Sequence, residues 1–254
     1  MNKILIRGVE VSACHGVNGF EKVEPQRFVF DADITADFYA AAQSDDLEGT
    51  VNYSSFCKLI TAVTTENTFN LIEKLAYECV FAAFEKFPLI SAISLTVWKP
   101  DAPMNRKFDK VGVTVTAERE RAYLSLGSSM GDRKKYLDTA IEKLNSTRGI
   151  KVEKVSDYIS TKPYGGVAEN EFLNCAACVS TFLTPHALLS EIHRIEAECQ
   201  RVREKRWGDR TLDIDIIFFG DKRINDGVLT VPHPDYLNRD FVKIPLKQLA
   251  PWLI

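Results

Sequence analysis

The chain of 254 residues has no run of about 18 apolar residues, so no transmembrane helix is expected. It has no large excess of either charge. Its 32 Lys and Arg stand against 35 Asp and Glu, a net −3 that gives no general affinity for nucleic acid or an anionic membrane. No GxxxxGK(S/T) or GxGxxG phosphate loop is present; GSSMGDRKK at 127–135 has the wrong spacing. Cys175 and Cys178 form a CxxC, but no second CxxC or His pair completes a zinc site. They lie in FLNCAACVSTFL, a strand pattern, where residues three apart face opposite sides. The expectation is small buried hydrophobes in a reducing compartment. The opening MNKILIRGVEVSACHG has one short apolar run broken by Arg7 and Glu10, which reads as a strand and not as a secretory leader. Location is therefore expected to be cytoplasmic.

The periodicities that are there divide the chain in two. Ile4–Ser12 and Arg27–Phe38 alternate as hairpin partners. Tyr53–Asn67 and Leu71–Phe87 have helical spacing, the latter with Leu71, Leu75, Cys79, Ala82 and Ala83 on one face, and Pro88 stops it. Ile90–Trp98 and Val111–Glu118 complete a four-stranded meander. After the charged Glu118-Arg119-Glu120-Arg121, a strand at Ala122–Leu126 leads to a helix at Asp132–Asn145. Strands at Ile150–Tyr158 and Phe172–Phe182, a helix at Pro185–Cys199 and a strand at Leu212–Phe219 follow. Strand-helix-strand-strand-helix-strand is the ferredoxin-like order. The expected class is α+β in two domains, 1–119 and 120–254, with no Gly/Ser/Pro linker between them.

RWGDRTLDIDIIFFG at 206–220 concentrates the chemistry. Leu212, Ile214, Ile216 and Phe218 form the apolar face of a strand, with Asp213 and Asp215 on the other. Residues i and i+2 of a strand lie about 6.6 Å apart and point the same way. Two carboxylates so placed repel, and a divalent cation relieves the repulsion, Mg²⁺ being the natural one for carboxylates plus phosphate oxygens. Two metal ions about 3.5–4 Å apart suit the spacing. An acid-bearing exposed strand face is the alternative. Arg201, Arg203, Arg206 and Arg210 upstream suit a polyphosphate through bidentate guanidinium contacts, and VPHPDYLNRDF adds His233 and Arg239.

From Ala122 onward the chain closely resembles 6-hydroxymethyl-7,8-dihydropterin pyrophosphokinases. Gly127-Ser128, Phe172-Leu173-Asn174, Arg201-x-Arg203 through RWGDRTLDIDI, and VPHPDYLNRDF carry the resemblance. It implies transfer of pyrophosphate from ATP to the hydroxymethyl group of the pterin, with AMP leaving. It further implies two Mg²⁺ on Asp213 and Asp215, and Arg201 and Arg203 on a mobile catalytic loop. Arg210, His233 and Arg239 would contact nucleotide or phosphates, with Trp207 on the loop among the ATP-site residues. Phe172 and Phe241 would sandwich the pterin and Asn174 bond its edge; as plain core, the two aromatics would need no such role. Asp209 and Ser129 depart from the proline and asparagine common in such relatives.

Four residues of the first half stand out by context: Glu21 after a turn, Tyr53 and Glu73 at helix starts, and Lys99 at a strand end. Each alone has an ordinary reading as surface or terminal charge. In the setting of HGVNGFEKVEPQRFVFD, VNYSSF, FNLIEKLAYE and TVWKPDAP, residues 1–119 resemble dihydroneopterin aldolases. The resemblance implies a tunnelling-fold-like sheet with two helices, and retro-aldol release of glycolaldehyde from 7,8-dihydroneopterin without a cofactor or lysine adduct. Glu73 would anchor the pterin, Lys99 and Tyr53 would handle protons, and Glu21 would support the lysine. His15 is expected to shape its turn, and Cys14 replaces a common tyrosine. It also implies a homo-oligomer with sites between subunits. The product of one reaction is the substrate of the other, so a bifunctional folate-pathway enzyme is expected. An epimerase, or a silent scaffold for the kinase half, is the rival for the first domain.

Overall fold

The computed structural model describes residues 2–163, 170–199 and 209–254. Two compact units form, Met1–Arg119 and Glu120–Ile254, each with its own sheet. Among the described residues no helix is long and apolar enough to cross a membrane.

In the first unit β1 (Lys3–Ala13), β2 (Gln26–Ala36), β3 (Ile90–Lys99) and β4 (Val111–Glu118) pair antiparallel in sequence order. Phe28, Phe30, Ala32 and Ile34 are buried at alternate positions of β2, the pattern of a sheet with one face on a core. Between β2 and β3 run α1 (Tyr39–Ser44), α2 (Tyr53–Thr65) and α3 (Ile72–Lys86), and α2 and α3 pack on the sheet. Asn52 caps α2 by accepting the Ser55 N–H at 3.0 Å. Two expectations need correction. The α1 turn was not anticipated, because its six residues bury only Ala41 and carry no periodicity. Leu71 does not face inward: it precedes α3 as its N-cap residue and is exposed.

The second unit runs β5 (Glu120–Ser128), α4 (Arg133–Ser146), β6 (Ile150–Val155), β7 (Ile159–Thr161), β8 (Phe172–Thr181), α5 (Pro185–Glu198) and β9 (Asp213–Phe219). A hairpin, β10 (Ile224–Asn225) and β11 (Thr230–Val231), and α6 (Asp240–Leu249) follow. The sheet order β6-β8-β5-β9, with β7 also on β8, is ferredoxin-like. Both faces of the sheet are covered. Leu124, Leu126, Cys175, Ala177 and Val179 share one core cluster with residues of α4 and α5; Tyr123, Cys178 and Ile217 share the other with residues of α6. Cys175 and Cys178 therefore do lie on opposite faces.

Three details depart from the sequence reading. The strand expected at Ile150–Tyr158 is interrupted at Ser156, whose N–H donates to the Ala176 carbonyl at 2.9 Å and whose hydroxyl accepts the Ala176 N–H at 2.8 Å. Phe218 is not on the face of Ile216: a bulge between Tyr123 and Leu124 leaves Ile217 as the extra residue, and Ile217 and Phe218 both join the α6 core. The helix α6 escaped notice because Pro245 lies inside it. Leu124, fully buried on the central strand, sets a test of this core. Leu124→Ala is expected to cost about 2–5 kcal/mol in urea denaturation of the second unit's transition.

Candidate active sites

In the first unit, Lys99 ends β3 and Glu21 lies in the single 3-10 turn Phe20–Lys22 after β1. Both side chains are buried, and the Lys99 Nζ donates to Glu21 Oε1 and, at 3.0 Å, to the His15 carbonyl. Glu21 Oε2 accepts the Asn18 N–H at 3.0 Å and the Asn18 Nδ2 at 2.7 Å. Burial pushes the Glu21 carboxyl up, but the Lys99 ammonium and the Asn18 donors outweigh it and hold it below the usual range. The turn admits this only because residue 16 is glycine: a Cβ there would run into the Glu21 carboxyl.

His15 shapes the turn. Its ring stacks on Phe69 and meets Phe28 edge-on, and its Nδ1 accepts the Phe69 N–H at 3.0 Å. Burial lowers its pKa more than the Thr64 backbone raises it, and an Nδ1 that accepts an N–H leaves the ring proton on Nε2. Gly16 N–H donates to the Phe69 carbonyl at 2.9 Å, which ties the α2–α3 link to the turn. Glu73, in the first turn of α3, and Tyr53, the first residue of α2, are exposed, and neither is hydrogen-bonded to Lys99 or Glu21 among the described residues. Of the four sequence candidates the fold joins two.

In the second unit, one cleft is lined by Phe172, Asn174, Arg210, Asp213, Asp215, Arg239 and Phe241. All seven were sequence candidates. The geometry follows from strand pairing: Gly127 of β5 faces Asn174 of β8 on one side and Asp213 of β9 on the other. A Cβ at 127 would come within 2.9 Å of Asn174 Oδ1, so the glycine makes room for the amide. Asn174 Nδ2 donates to Thr161 Oγ1 at 2.9 Å. Arg210 is seated by backbone: its N–H donates to Ser129 Oγ and its carbonyl accepts the Ser129 N–H, each at 3.0 Å. Its guanidinium pairs with Asp213 at 2.7 Å and lies 5.9 Å from the Phe172 ring centre. Arg239 contacts Asp235 at 3.2 Å and Asp215 at 4.0 Å, 5.8 Å from the Phe241 ring centre.

Asp215 is half-buried, and its side chain keeps 37% of its surface exposed. Burial first, and the Asp213 carboxylate second, push its pKa up, and Arg239 and Arg210 offset only part of the rise. Among the described residues no three His, Cys, Asp or Glu side chains gather as a closed metal cage. Two mutually repelling carboxylates do fit a hard cation that keeps water and phosphate oxygens as its other ligands. His233 stands beside the cleft and does not line it. Its N–H donates to the Ile217 carbonyl at 3.0 Å, and burial and then Arg239 lower its pKa. Arg201, Arg203, Arg206 and Trp207 fall outside the described residues. Sequence reasoning missed Ser125, Thr161 and Lys162 in the lining. Ser125, a small polar residue between Leu124 and Leu126, was a usable signal; Lys162 offered none.

Residues 123–251 match the family model of 7,8-dihydro-6-hydroxymethylpterin-pyrophosphokinase, and residues 4–116 match that of dihydroneopterin aldolase. The chain is 43% identical over 134 residues to the 2-amino-4-hydroxy-6-hydroxymethyldihydropteridine pyrophosphokinase of Methylorubrum extorquens, which covers 53% of this chain and 85% of that protein. It is 45% identical over 130 residues to the bifunctional protein FolKE of Lactococcus lactis, covering 51% of this chain and 37% of that one. The folic acid synthesis protein FOL1 of Dictyostelium discoideum is 29% identical over 278 aligned residues, covering 99% of this chain and 42% of FOL1. The chain thus spans less than half the length of FolKE and FOL1. By the match of its second unit it belongs to the 7,8-dihydro-6-hydroxymethylpterin-pyrophosphokinase family, and its first unit is a dihydroneopterin aldolase domain.

Proposed function

We propose that the chain is a bifunctional folate-pathway enzyme that releases glycolaldehyde from 7,8-dihydroneopterin and pyrophosphorylates the resulting 6-hydroxymethyl-7,8-dihydropterin from ATP. The observation that carries the second activity is the convergence of two aromatics, an amide, two arginines and two like-charged aspartates in one cleft. Phe172 and Phe241 flank the flat pterin and Asn174 bonds its polar edge. Asp213 and Asp215 would hold two Mg²⁺, which would supply neutralisation of the phosphate charge for in-line displacement. Arg210 and Arg239, which pair with these carboxylates, would contact the phosphates of ATP. The pterin hydroxymethyl oxygen attacks the β-phosphorus, the bond from that phosphorus to the α–β bridging oxygen breaks, AMP leaves, and the hydroxyl proton passes to solvent. Arg201 and Arg203 assist as catalytic residues, with Trp207 and His233 on the nucleotide side, as the family resemblance implies.

For the first unit the buried Lys99–Glu21 pair carries the reading. A buried charge pair adds little stability to a scaffold, because desolvation offsets most of its attraction. It suits proton handling beside a bound ring. The 2′-hydroxyl proton is removed and the C1′–C2′ electrons flow into the reduced pterin, which is the electron sink. A proton then returns to C1′ as glycolaldehyde leaves. Lys99 and Tyr53 carry the protons, Glu21 holds the lysine, and Glu73 anchors the amino-pyrimidine edge as a carboxylate acceptor. Tyr53 and Glu73 are exposed, and β1 and β4 leave the sheet edges open, which supports a homo-oligomer whose neighbouring copies complete each site.

Purified protein given dihydroneopterin, ATP and Mg²⁺ is expected to yield glycolaldehyde, AMP and the pterin pyrophosphate. AMP from added hydroxymethyl-dihydropterin, without glycolaldehyde from dihydroneopterin, would sink the aldolase reading. Asp213→Ala is expected to abolish AMP formation and spare glycolaldehyde release, measured on the same preparation. In the reverse sense, Lys99→Ala is expected to slow glycolaldehyde release by about 10²–10⁴-fold while AMP formation persists.

A further inference from the structure

The backbone amide of Ile214 lies between Asp213 and Asp215, and among the described residues β9 is the edge strand of its sheet. An edge strand turns a row of its N–H groups away from its neighbour, toward water or a foreign strand. Here that edge is met by α5. Glu196, 3% exposed, reaches from the helix, and its Oε1 accepts the Ile214 N–H at 2.8 Å. The Ile214 side chain is itself buried in the core shared with α5. A carboxylate in such a wall is costly to desolvate, and an apolar side chain would seal the helix against the strand at less cost. The Ile214 amide gives a polar side chain at this position a partner.

The strand needs an additional hold at this point. Only the pairs from Gly127↔Asp213 to Leu124↔Ile216 precede the bulge that breaks its register with β5. Asp213 and Asp215 sit in this short paired stretch of the edge strand, and their carboxylates repel one another. The peptide planes on either side of Ile214 belong to the two aspartates. The Ile214 N–H lies in the Asp213–Ile214 plane, so an acceptor fixed on it restrains the backbone between the two carboxylates.

We propose that Glu196 is a positioning residue for the pyrophosphokinase site, clamping the Ile214 amide so that Asp213 and Asp215 keep their spacing on the cleft face. The proposal rests on the reading of both aspartates as Mg²⁺ ligands. Its test uses the full chain and two readouts: hydrogen exchange of the Ile214 amide by NMR, and Mg²⁺-dependent calorimetric binding of an ATP analogue with a methylene between the α and β phosphorus atoms. Glu196→Ala removes the acceptor. Glu196→Leu removes it but keeps the apolar packing, which guards against simple misfolding. Glu196→Gln keeps an acceptor oxygen and drops the charge.

In the Ala and Leu variants, exchange at Ile214 is expected to rise well above that of the β8 amides, and Mg²⁺-dependent binding to weaken by about 10–100-fold, as for loss of a second layer of ligand support. The Gln variant is expected to stay close to the parent on both. Unchanged Ile214 exchange or unchanged binding in the folded Leu variant overturns the proposal, as does a Gln variant as impaired as Ala. Asp213→Ala separates the two levels. If it loses Mg²⁺-dependent binding while Glu196→Leu does not, only the clamp is wrong; if it keeps that binding, the metal reading falls and the clamp's purpose with it.

Discussion

Antiparallel pairing of β5 with β8 on one side and β9 on the other is the constraint on which the second unit's chemistry depends. Gly127 stands opposite Asn174 and opposite Asp213, and Ser125 opposite Asp215. The amide end of the cleft and its carboxylate end thus meet across a single glycine, which has no side chain to keep them apart. A slip of one residue in either pairing would turn Asn174 or both aspartates to the opposite face, where the helices close the core. The apolar residues between them, Leu124, Leu126, Ile214 and Ile216, make such a slip costly because each would leave the core. Packing on one face therefore holds the polar constellation on the other.

The two units solve the problem of buried charge differently, and the difference matches their chemistry. Lys99 and Glu21 are of opposite sign, and hydrogen bonds from Asn18 and to His15 complete the pair. Such a pair is internally neutralised. Asp213 and Asp215 are of the same sign, and Arg210 and Arg239 compensate them only in part. A site left with like charges is one that a cation and a polyphosphate complete together. Neither arrangement is favoured by folding alone, since each takes charge from water.

Local signals carried much of this into the sequence. Alternation in Arg27–Phe38 and Phe172–Phe182 marked strands that formed, and the CxxC cysteines lie on opposite faces as the strand period requires. Asp213 and Asp215 were conspicuous because acids rarely interrupt an apolar strand. Arg210, Asp213 and Asp215 could be named in advance from the long and unusual RWGDRTLDIDI, and Phe172, Asn174, Arg239 and Phe241 from two further segments that carry the family resemblance. Glu196 could not. Its partner is a backbone amide 18 residues away, and a glutamate on a helix reads as solvent-facing until the strand beneath it is seen. The turn around His15 was legible only as a turn; that Phe69, 54 residues on, both stacks on the ring and bonds it was not.

What the sequence determined by itself was the class of each segment and the identity of the charged groups, because period and residue chemistry are local properties. The tertiary structure decided which of those groups meet. It joined Lys99 to Glu21 across 78 residues and left Tyr53 and Glu73 on the surface. It moved Phe218 to the α6 face through one extra residue opposite β5. These outcomes depend on register, bulges and the closing of distant chain segments onto a common core, and no local period encodes them.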